Sequence, residues 1–325
     1  MEEKAMFFNT WYQGKLSICR FGFAVIAATM MLAGSYPSAF AEEGKQKNFK
    51  SPEEAVQALT DAVKANDEKE LLTIFGPAGK ELISSGDEIA DRTGRDRFVK
   101  AFEEMNKVVN ENDGKMILHV GSRDWPFPIP LVKKGETWFF DTMAGREEIL
   151  NRRIGRNELN AIQVCLAYVD AQREYALKDR DGDKLLEYAQ RFISSEGQKN
   201  GLYWEVKEGE KPSPLGPLVA KAAKEGYIGR RPVGKHTPYH GYYYKTLKAQ
   251  GKNAAGGEYD YIVKDKMIGG FALVAYPAEY GNSGVMTFIV NHDGVVYEKD
   301  LGKDTEKIAT AIKKFDPDKT WKKAE

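Results

Sequence analysis

The sequence predicts an α+β protein: a small N-terminal helix-plus-sheet domain, then a C-terminal domain of a long helix packed on an antiparallel sheet. Three observations support this fold class. Apolar residues recur at helical spacing through residues 52–110, and residues 115–141 then show the shorter period of strands. Residues 238–302 hold nine of the sixteen tyrosines and are divided by glycines into short runs, as in a sheet with one packed face and one wet face.

The first 41 residues have the features of a secretory signal peptide. Lys15 and Arg20 form a positive region before an apolar run at 21–32, and residues 39–41 match a cleavage site with small residues at its ends. We therefore expect an exported, periplasmic protein whose signal peptide is cleaved after Ala41; the alternative is an uncleaved anchor. No later segment reaches the roughly 18 apolar residues of a membrane helix, so we expect no membrane span in the mature chain.

Composition excludes several classes of protein. The 325 residues include 48 basic and 48 acidic side chains, which argues against a nucleic-acid-binding protein. An apolar content of 42% is sufficient for packed cores. Of the two cysteines, Cys19 leaves with the signal peptide, so Cys165 has no partner for an internal disulfide.

The N-terminal domain is expected to cover residues 49–143. Ser51 can cap a first helix and Pro52 suits its first position. Further helices are predicted over 68–75 and from about residue 95 to residue 110, where apolar residues share one side. The predicted strands cover residues 115–122, 131–134 and 136–141.

The C-terminal domain is expected to cover residues 157–325, after a connecting helix at 144–156. Asn157 can cap a long helix that ends near Lys178. Asp293-Gly294 predicts a type I′ hairpin turn between two strands. Other predicted helices cover residues 185–192, 218–225 and 305–315.

Several segments together resemble a known family: residues 138–158, 187–192, 201–204, 212–217 and most of 238–302. They are similar to the bacterial domain-of-unknown-function 2950 family of exported proteins, over nearly the whole mature chain. That resemblance implies export and no particular activity. Residues 157–302 also loosely resemble the globular domain of bacterial pseudopilins, although a whole domain stands where a pseudopilin has its N-terminal methylated helix.

Six residues are candidates for ligand binding, on the outward face of the strand at 239–245 and in the loop at 277–284. Tyrosines on one face of a strand can stack on a sugar or on a partner's side chains, because the ring is apolar and the hydroxyl polar. The alternative is that these tyrosines belong to the core. The six candidates are Tyr239, His240, Tyr242, Tyr244, Glu279 and Tyr280.

The acidic turn at 179–183 has the alternating carboxylates that begin a calcium loop. However, Gly182 lies between the second and third acids, and Gln190 occupies the position that needs a bidentate Glu. We therefore favour a solvated turn in which Asp183 caps the helix that follows, with calcium binding by Asp179, Asp181 and Asp183 as the alternative.

His236 and His240 have the spacing of two zinc ligands, but Pro238 between them excludes the required helix. His292 is distant in sequence and could join them in a metal site. We favour hydrogen-bonded loop histidines, so no metal and no cofactor is predicted.

These observations favour a non-enzymatic envelope module that binds a partner protein or a glycan. The alternative is a hydrolase of cell-wall or exported polymers that uses carboxylates or histidines near residues 236–300. Glu279 and Asp300 could serve such a reaction only if they lie within roughly 5–10 Å of each other. Cys165 lies in the apolar stripe of a predicted helix, which favours a buried thiol over a nucleophile. A structural scaffold is a third option, and no catalytic residue is predicted.

Overall fold

The computed structural model of the chain describes residues 46–227 and 237–324. These residues belong to one compact unit that holds two hydrophobic clusters, one drawn from residues 49–140 and the other from 161–315. Seven helices and several antiparallel sheets in the described residues confirm the α+β class. The division into two domains stays a prediction, and the predicted signal peptide lies outside the described residues.

Four helices open the described chain. Ser51 caps the first, as predicted, because its hydroxyl accepts a hydrogen bond from the Glu54 amide (3.1 Å). Asp67 and Asp87 cap the second and fourth helices in the same way. The helices are α1 (Pro52–Ala65), α2 (Glu68–Phe75), α3 (Lys80–Ile83) and α4 (Glu88–Glu104).

The first sheet follows these helices directly. Its strands are β1 (Asn106–Asn112), β2 (Lys115–Val120), β3 (Trp125–Pro126), β4 (Leu131–Lys134) and β5 (Thr137–Phe140). They are antiparallel in the order β1-β2-β4-β5, with β3 paired to β2. The prediction of a helix up to residue 110 is wrong after Glu104, because Val108 pairs with Leu118 in the sheet. Two adjacent valines suit a pleated strand better than a helix end.

A single helix, α5 (Thr142–Tyr175), replaces the predicted connecting helix and the long helix after it. The predicted break at Asn157 does not occur. Asn157 is buried inside α5, and its side-chain amide donates to the Ser283 carbonyl (2.9 Å). A residue that often caps helices is therefore used for a tertiary hydrogen bond, and the helix continues through it.

The predicted helix at 185–192 is wrong, since this segment is irregular. Its backbone donors have tertiary acceptors: the Tyr188 amide reaches the Met267 carbonyl (2.8 Å) and the Ala189 amide reaches the Gln172 side chain (2.8 Å). These bonds satisfy the backbone without helical pairing. The next helix, α6 (Gly216–Lys224), lies close to its predicted position.

The main C-terminal sheet is antiparallel, in the order β14-β13-β12-β11-β6. The turn at Asp293-Gly294 joins β12 to β13 as predicted, but the predicted type I′ is wrong. The Gly294 amide donates to the Asn291 carbonyl (2.9 Å), so His292 and Asp293 are the central residues, and neither has the positive φ of a type I′ turn. Gly294 follows with a φ of 81°. The remaining elements are β6 (Tyr242–Leu247), β7 (Ala249–Gln250), β8 (Tyr259–Asp260), β9 (Ile262–Val263), β10 (Lys266–Met267), β11 (Ala272–Pro277), β12 (Met286–Asn291), β13 (Val296–Asp300), α7 (Thr305–Ala311) and β14 (Lys322–Lys323).

Helix α5 packs its second half against this sheet. Tyr168 of α5 meets Phe271 edge to face, with ring centroids 5.7 Å apart. Cys165 is a buried free thiol in the same cluster, and burial raises its pKa to about 12. In the part of the chain that the structure describes, no helix has the length and apolar character needed to cross a bilayer.

Candidate ligand-binding cavity

The structure separates the six candidate residues. Tyr242 is 0% exposed, and its hydroxyl donates to the Met286 carbonyl (2.9 Å). A Cβ added at Gly284 would lie 2.2 Å from this hydroxyl, so the backbone closes over the ring. Tyr242 therefore faces the core and not an outward surface.

Two of the candidates meet at one carboxylate, and a third bonds to the backbone of one of these two. The Tyr239 hydroxyl and His240 Nε2 each lie 3.2 Å from Glu225 Oε2, and the Tyr244 hydroxyl donates to the Tyr239 carbonyl (3.3 Å). Tyr227 packs edge to face on Tyr239, with centroids 4.8 Å apart. The tyrosine hydroxyls of this cluster therefore have protein partners, whereas the buried His240 Nε2 lies near Glu225 without forming a hydrogen bond to any described residue.

The other two candidates have different neighbours. Glu279 accepts a hydrogen bond from the Asn282 amide (2.7 Å), while the Tyr280 hydroxyl donates to Asp300 (3.2 Å). The described histidines are likewise separate, since His292 Nε2 lies 3.8 Å from Asp293 while His240 faces Glu225. His236 lies outside the described residues.

The acidic turn surrounds a lysine. Potential ligand oxygens of Asp179, Asp181 and Asp183 lie within 4.8 Å of one another. Lys266 contacts Asp181 and lies 2.6 Å from Asp183, so its ammonium group neutralises part of the negative charge of the turn. Asp183 accepts from the Leu185 amide (2.8 Å), but the helix that it was expected to cap is not formed.

A cavity of about 420 Å³ lies in the N-terminal hydrophobic cluster, between α1, α2, α4, the first sheet and α5. This volume is within the range of small-molecule sites. Its walls are mostly aliphatic and aromatic. The apolar lining includes Leu59, Val63, Leu71, Phe75, Ile83, Phe98, Val120, Phe127, Ile129 and Ile149.

Five arginines line the same cavity: Arg95 and Arg97 on α4, and Arg152, Arg153 and Arg156 on α5. Asp91 is the one acidic residue in its lining. The lining therefore has a formal charge of +4 (five arginines minus one aspartate), whereas the whole chain has a formal charge of zero. Positive charge is concentrated at an apolar cavity, an arrangement suited to an anion with an apolar body.

Arg95 is held inside the protein, with 12% of its side chain exposed. It donates to the Ile83 carbonyl (3.0 Å) and to Glu68 (3.1 Å). Its Nε is buried and has no hydrogen-bond partner among the described residues. One strong donor at the cavity is thus left without an acceptor.

Arg153 connects the cavity to the C-terminal region. Its guanidinium donates to the Leu82 carbonyl (2.8 Å) and to Asn282 Oδ1 (2.5 Å). Burial lowers the pKa of Arg153, and the negative charge of Asp91 acts against this shift. Burial also raises the pKa of Asp91, against the hydrogen bonds that it receives from Ser85. Arg153 is therefore a structural cation as well as a cavity wall.

Arg97 on α4 and Arg156 on α5 line the same cavity. The protein packed around the Arg156 guanidinium, and secondly the positive charge of Arg97, lower the pKa of Arg156. Both residues are nevertheless exposed. An incoming anion can reach them from solvent.

A smaller cavity of about 230 Å³ lies beside Trp204. The Arg180 guanidinium is 5.2 Å from the ring centroids of both Tyr175 and Trp204. Arg180 Nε also donates to the Tyr175 carbonyl at the end of α5 (3.3 Å). These contacts cap the C-terminal end of α5, so the position of Arg180 is explained by its role in stabilising the helix and does not indicate a ligand site.

Sequence reasoning missed the arginine cavity. Arg156 follows Arg153 by three residues and Arg152 by four, which places it near both of them on a helix. This spacing was not recognised as a shared helix face, because the sequence predicted that a connecting helix ends at 156 and that a new helix starts at Asn157. The partners on α4 come from a separate helix, and no local pattern joins the two.

The fold and the cavity together define an α+β protein with an arginine-lined apolar pocket. The family model described as "Protein of unknown function (DUF2950)" matches residues 46–324, and the chain belongs to this family. No curated protein and no solved structure matches the chain significantly. The resemblance of residues 157–302 to pseudopilins therefore stays a prediction.

Proposed function

We propose that this protein is a non-enzymatic binding module for an amphipathic anion, a molecule with an apolar body and an acidic head. The observation that carries the proposal is the convergence of five arginines on one largely apolar cavity of about 420 Å³. Apolar walls favour an apolar ligand body, because its transfer from water contributes roughly 25 cal/mol per Å². The arginines favour an anionic head, because guanidinium groups form strong charge-assisted hydrogen bonds.

The cavity bears differently on the two functions predicted from the sequence, a binding module for a partner protein or glycan and a hydrolase. A partner protein or glycan remains a prediction for the surface near Tyr239 and His240, where aromatic rings are partly exposed. A hydrolase has less support at the cavity. Glycoside hydrolysis uses two carboxyl groups, and Asp91 is the one carboxylate among the residues that line it.

A bulky side chain placed inside the cavity is expected to weaken the binding of an amphipathic anion. Gly94 of α4 lines the cavity, and a Cβ added there meets no atom within 4 Å. Gly94→Trp should place an indole in the space that the ligand needs and weaken binding of a fluorescent anion, anilinonaphthalene sulfonate, roughly tenfold or more. Fluorescence titration measures the affinity. The fold should persist, because nearly every residue is a better helix former than glycine.

Gly155→Trp is the matched control. Gly155 lies on α5 outside the cavity lining, and a Cβ there also meets no atom within 4 Å. The control should bind the dye as the unchanged protein does. Equal affinities for the two tryptophan variants would contradict the proposed site.

Export is the second part of the proposal and rests on the sequence of residues 1–41. Expression of the full chain in a Gram-negative host should yield a periplasmic protein that begins at Glu42, because signal peptidase cleaves after small residues. Fractionation followed by N-terminal mass spectrometry tests this. A cytoplasmic protein that retains residues 1–41 would contradict it, and a variant lacking residues 2–41 should stay in the cytoplasm.

A further inference from the structure

Three of the five cavity arginines already have protein partners. Arg95 pairs with Glu68 at 3.1 Å. Arg152 pairs with Glu148 at 2.5 Å, and its guanidinium lies 5.8 Å from the Trp125 ring centroid. Arg153 donates to backbone carbonyls and to an asparagine. Their charges are balanced or committed to holding the fold.

Arg97 and Arg156 differ from these three. Arg97 donates to the Thr93 carbonyl of its own helix (3.3 Å) and forms no ion pair with a described residue. Arg156 forms neither a hydrogen bond nor an ion pair within residues 46–227 and 237–324. The positive charge of Arg97 disfavours the charged form of Arg156, and an anion bound at these groups would relieve this repulsion. The cavity lining thus includes two exposed guanidinium groups that have no carboxylate partner among the described residues.

We propose that Arg97 and Arg156 clamp a phosphate monoester whose organic substituent fills the apolar cavity. This inference rests on the proposed function and specifies the head group of the ligand. A dianion balances both guanidinium groups, whereas a carboxylate or an alkyl sulfate balances one. Arginine also matches phosphate geometrically, because its planar fork can donate two parallel hydrogen bonds to phosphate oxygens.

The second proton of a phosphate monoester leaves near pH 6, so affinity should rise as the pH increases from about 5 to about 7.5. Asp91 acts in the opposite direction, because an ionised carboxylate at the cavity repels any anion. An alkyl sulfate keeps a single charge over this range and isolates the Asp91 effect. The titratable and charged groups around the clamp are Arg95, Arg152, Arg153, Asp91 and Tyr227.

Isothermal titration calorimetry with short alkyl probes tests the clamp. At about pH 7.5, octyl phosphate should bind roughly tenfold tighter than octyl sulfate or octanoate, and its advantage over octyl sulfate should disappear near pH 5. Inorganic phosphate should bind more weakly than octyl phosphate, since it leaves the apolar walls unused.

Arg97→Gln and Arg156→Gln should each weaken octyl phosphate binding roughly tenfold. Arg97→Lys should give an intermediate loss, because it keeps the charge without the fork.

Arg92→Gln is the control for charge removal, because Arg92 is exposed on α4 and does not line the cavity. It should leave octyl phosphate affinity unchanged. Equal affinities for octyl phosphate and octyl sulfate, or equal effects of Arg97→Gln and Arg92→Gln, would overturn the clamp. The proposed function would then still stand if Gly94→Trp blocked octyl sulfate binding, and both proposals would fail if no octyl probe bound. Inorganic phosphate binding as tightly as octyl phosphate would also overturn the inference.

Discussion

Replacing Asp87 with alanine is expected to lower the free energy of unfolding by about 3–5 kcal/mol. Asp87 is 0% exposed and caps α4 through the Ala90 amide (3.0 Å). Its other carboxylate oxygen accepts from the Tyr227 hydroxyl (2.9 Å) and from the Gly241 amide (2.8 Å). The alanine variant would lose the cap and leave two donors without an acceptor, and each such donor costs about 1–3 kcal/mol.

Urea denaturation followed by circular dichroism measures this effect. Asp67→Ala is the matched control, because Asp67 is an exposed helix cap that accepts from the Lys69 and Glu70 amides (both 3.0 Å). Its loss should cost about 1 kcal/mol, the usual value for a cap. If both alanine variants lost the same stability, the bonds to Tyr227 and Gly241 would contribute nothing. Asp87→Asn keeps one acceptor and should fall between them.

The properties of Tyr227 also indicate that the Asp87 carboxylate stabilises the fold. Burial, and after it the negative charge of Asp87, raise the pKa of the Tyr227 hydroxyl, which therefore stays protonated and continues to donate to Asp87. Asp87 thus joins the start of α4 to the strand that begins at Tyr242. The Asn282 amide adds a parallel connection, since it donates to the Ser84 carbonyl (2.9 Å). The helix that bears Arg95 and Arg97 is fixed at its N-terminus by these bonds.

Gly145→Ala should be the second most damaging substitution, with a loss of roughly 3 kcal/mol, at the upper end of overpacking effects. A Cβ at Gly145 would lie 2.4 Å from the Pro128 carbonyl oxygen and 2.7 Å from the Ile129 amide nitrogen. These atoms are backbone, so no rotamer change can relieve the contact. The chain at 128–129 forms one wall of the cavity, and its displacement should also weaken binding of anilinonaphthalene sulfonate.

Gly155→Ala gives the control on the same helix. A Cβ at Gly155 meets no atom within 4 Å, so alanine should raise stability by up to about 1 kcal/mol through its better helix propensity. The two substitutions therefore have opposite expected signs, and thermal denaturation of both variants measures them. Destabilisation of similar size at both positions would show that glycine serves helix α5 in some other way than by close approach.

The tyrosine site that the sequence predicted and the arginine cavity that it missed show why local sequence patterns do not locate a binding site. The tyrosines at 239–244 were prominent in the sequence because they alternate along a strand. Alternation identifies two faces without showing which face is covered, and the packing of α5 on the sheet placed Tyr242 in the core. The arginines on α4 and α5 were not recognised as a group, because 37 residues (105–141) separate the two helices in sequence.

The sequence by itself determined the α+β class, the cap of α1, the hairpin at Asp293-Gly294 and the family. These features depend on neighbours within a few residues, whose periodicity and turn chemistry can be read directly. Only the tertiary structure decided that α5 continues through Asn157, that residues 185–192 are not helical and that the arginines share one cavity. In each of these cases the deciding partner is distant in sequence, as Ser283 is for Asn157 and Met267 is for Tyr188.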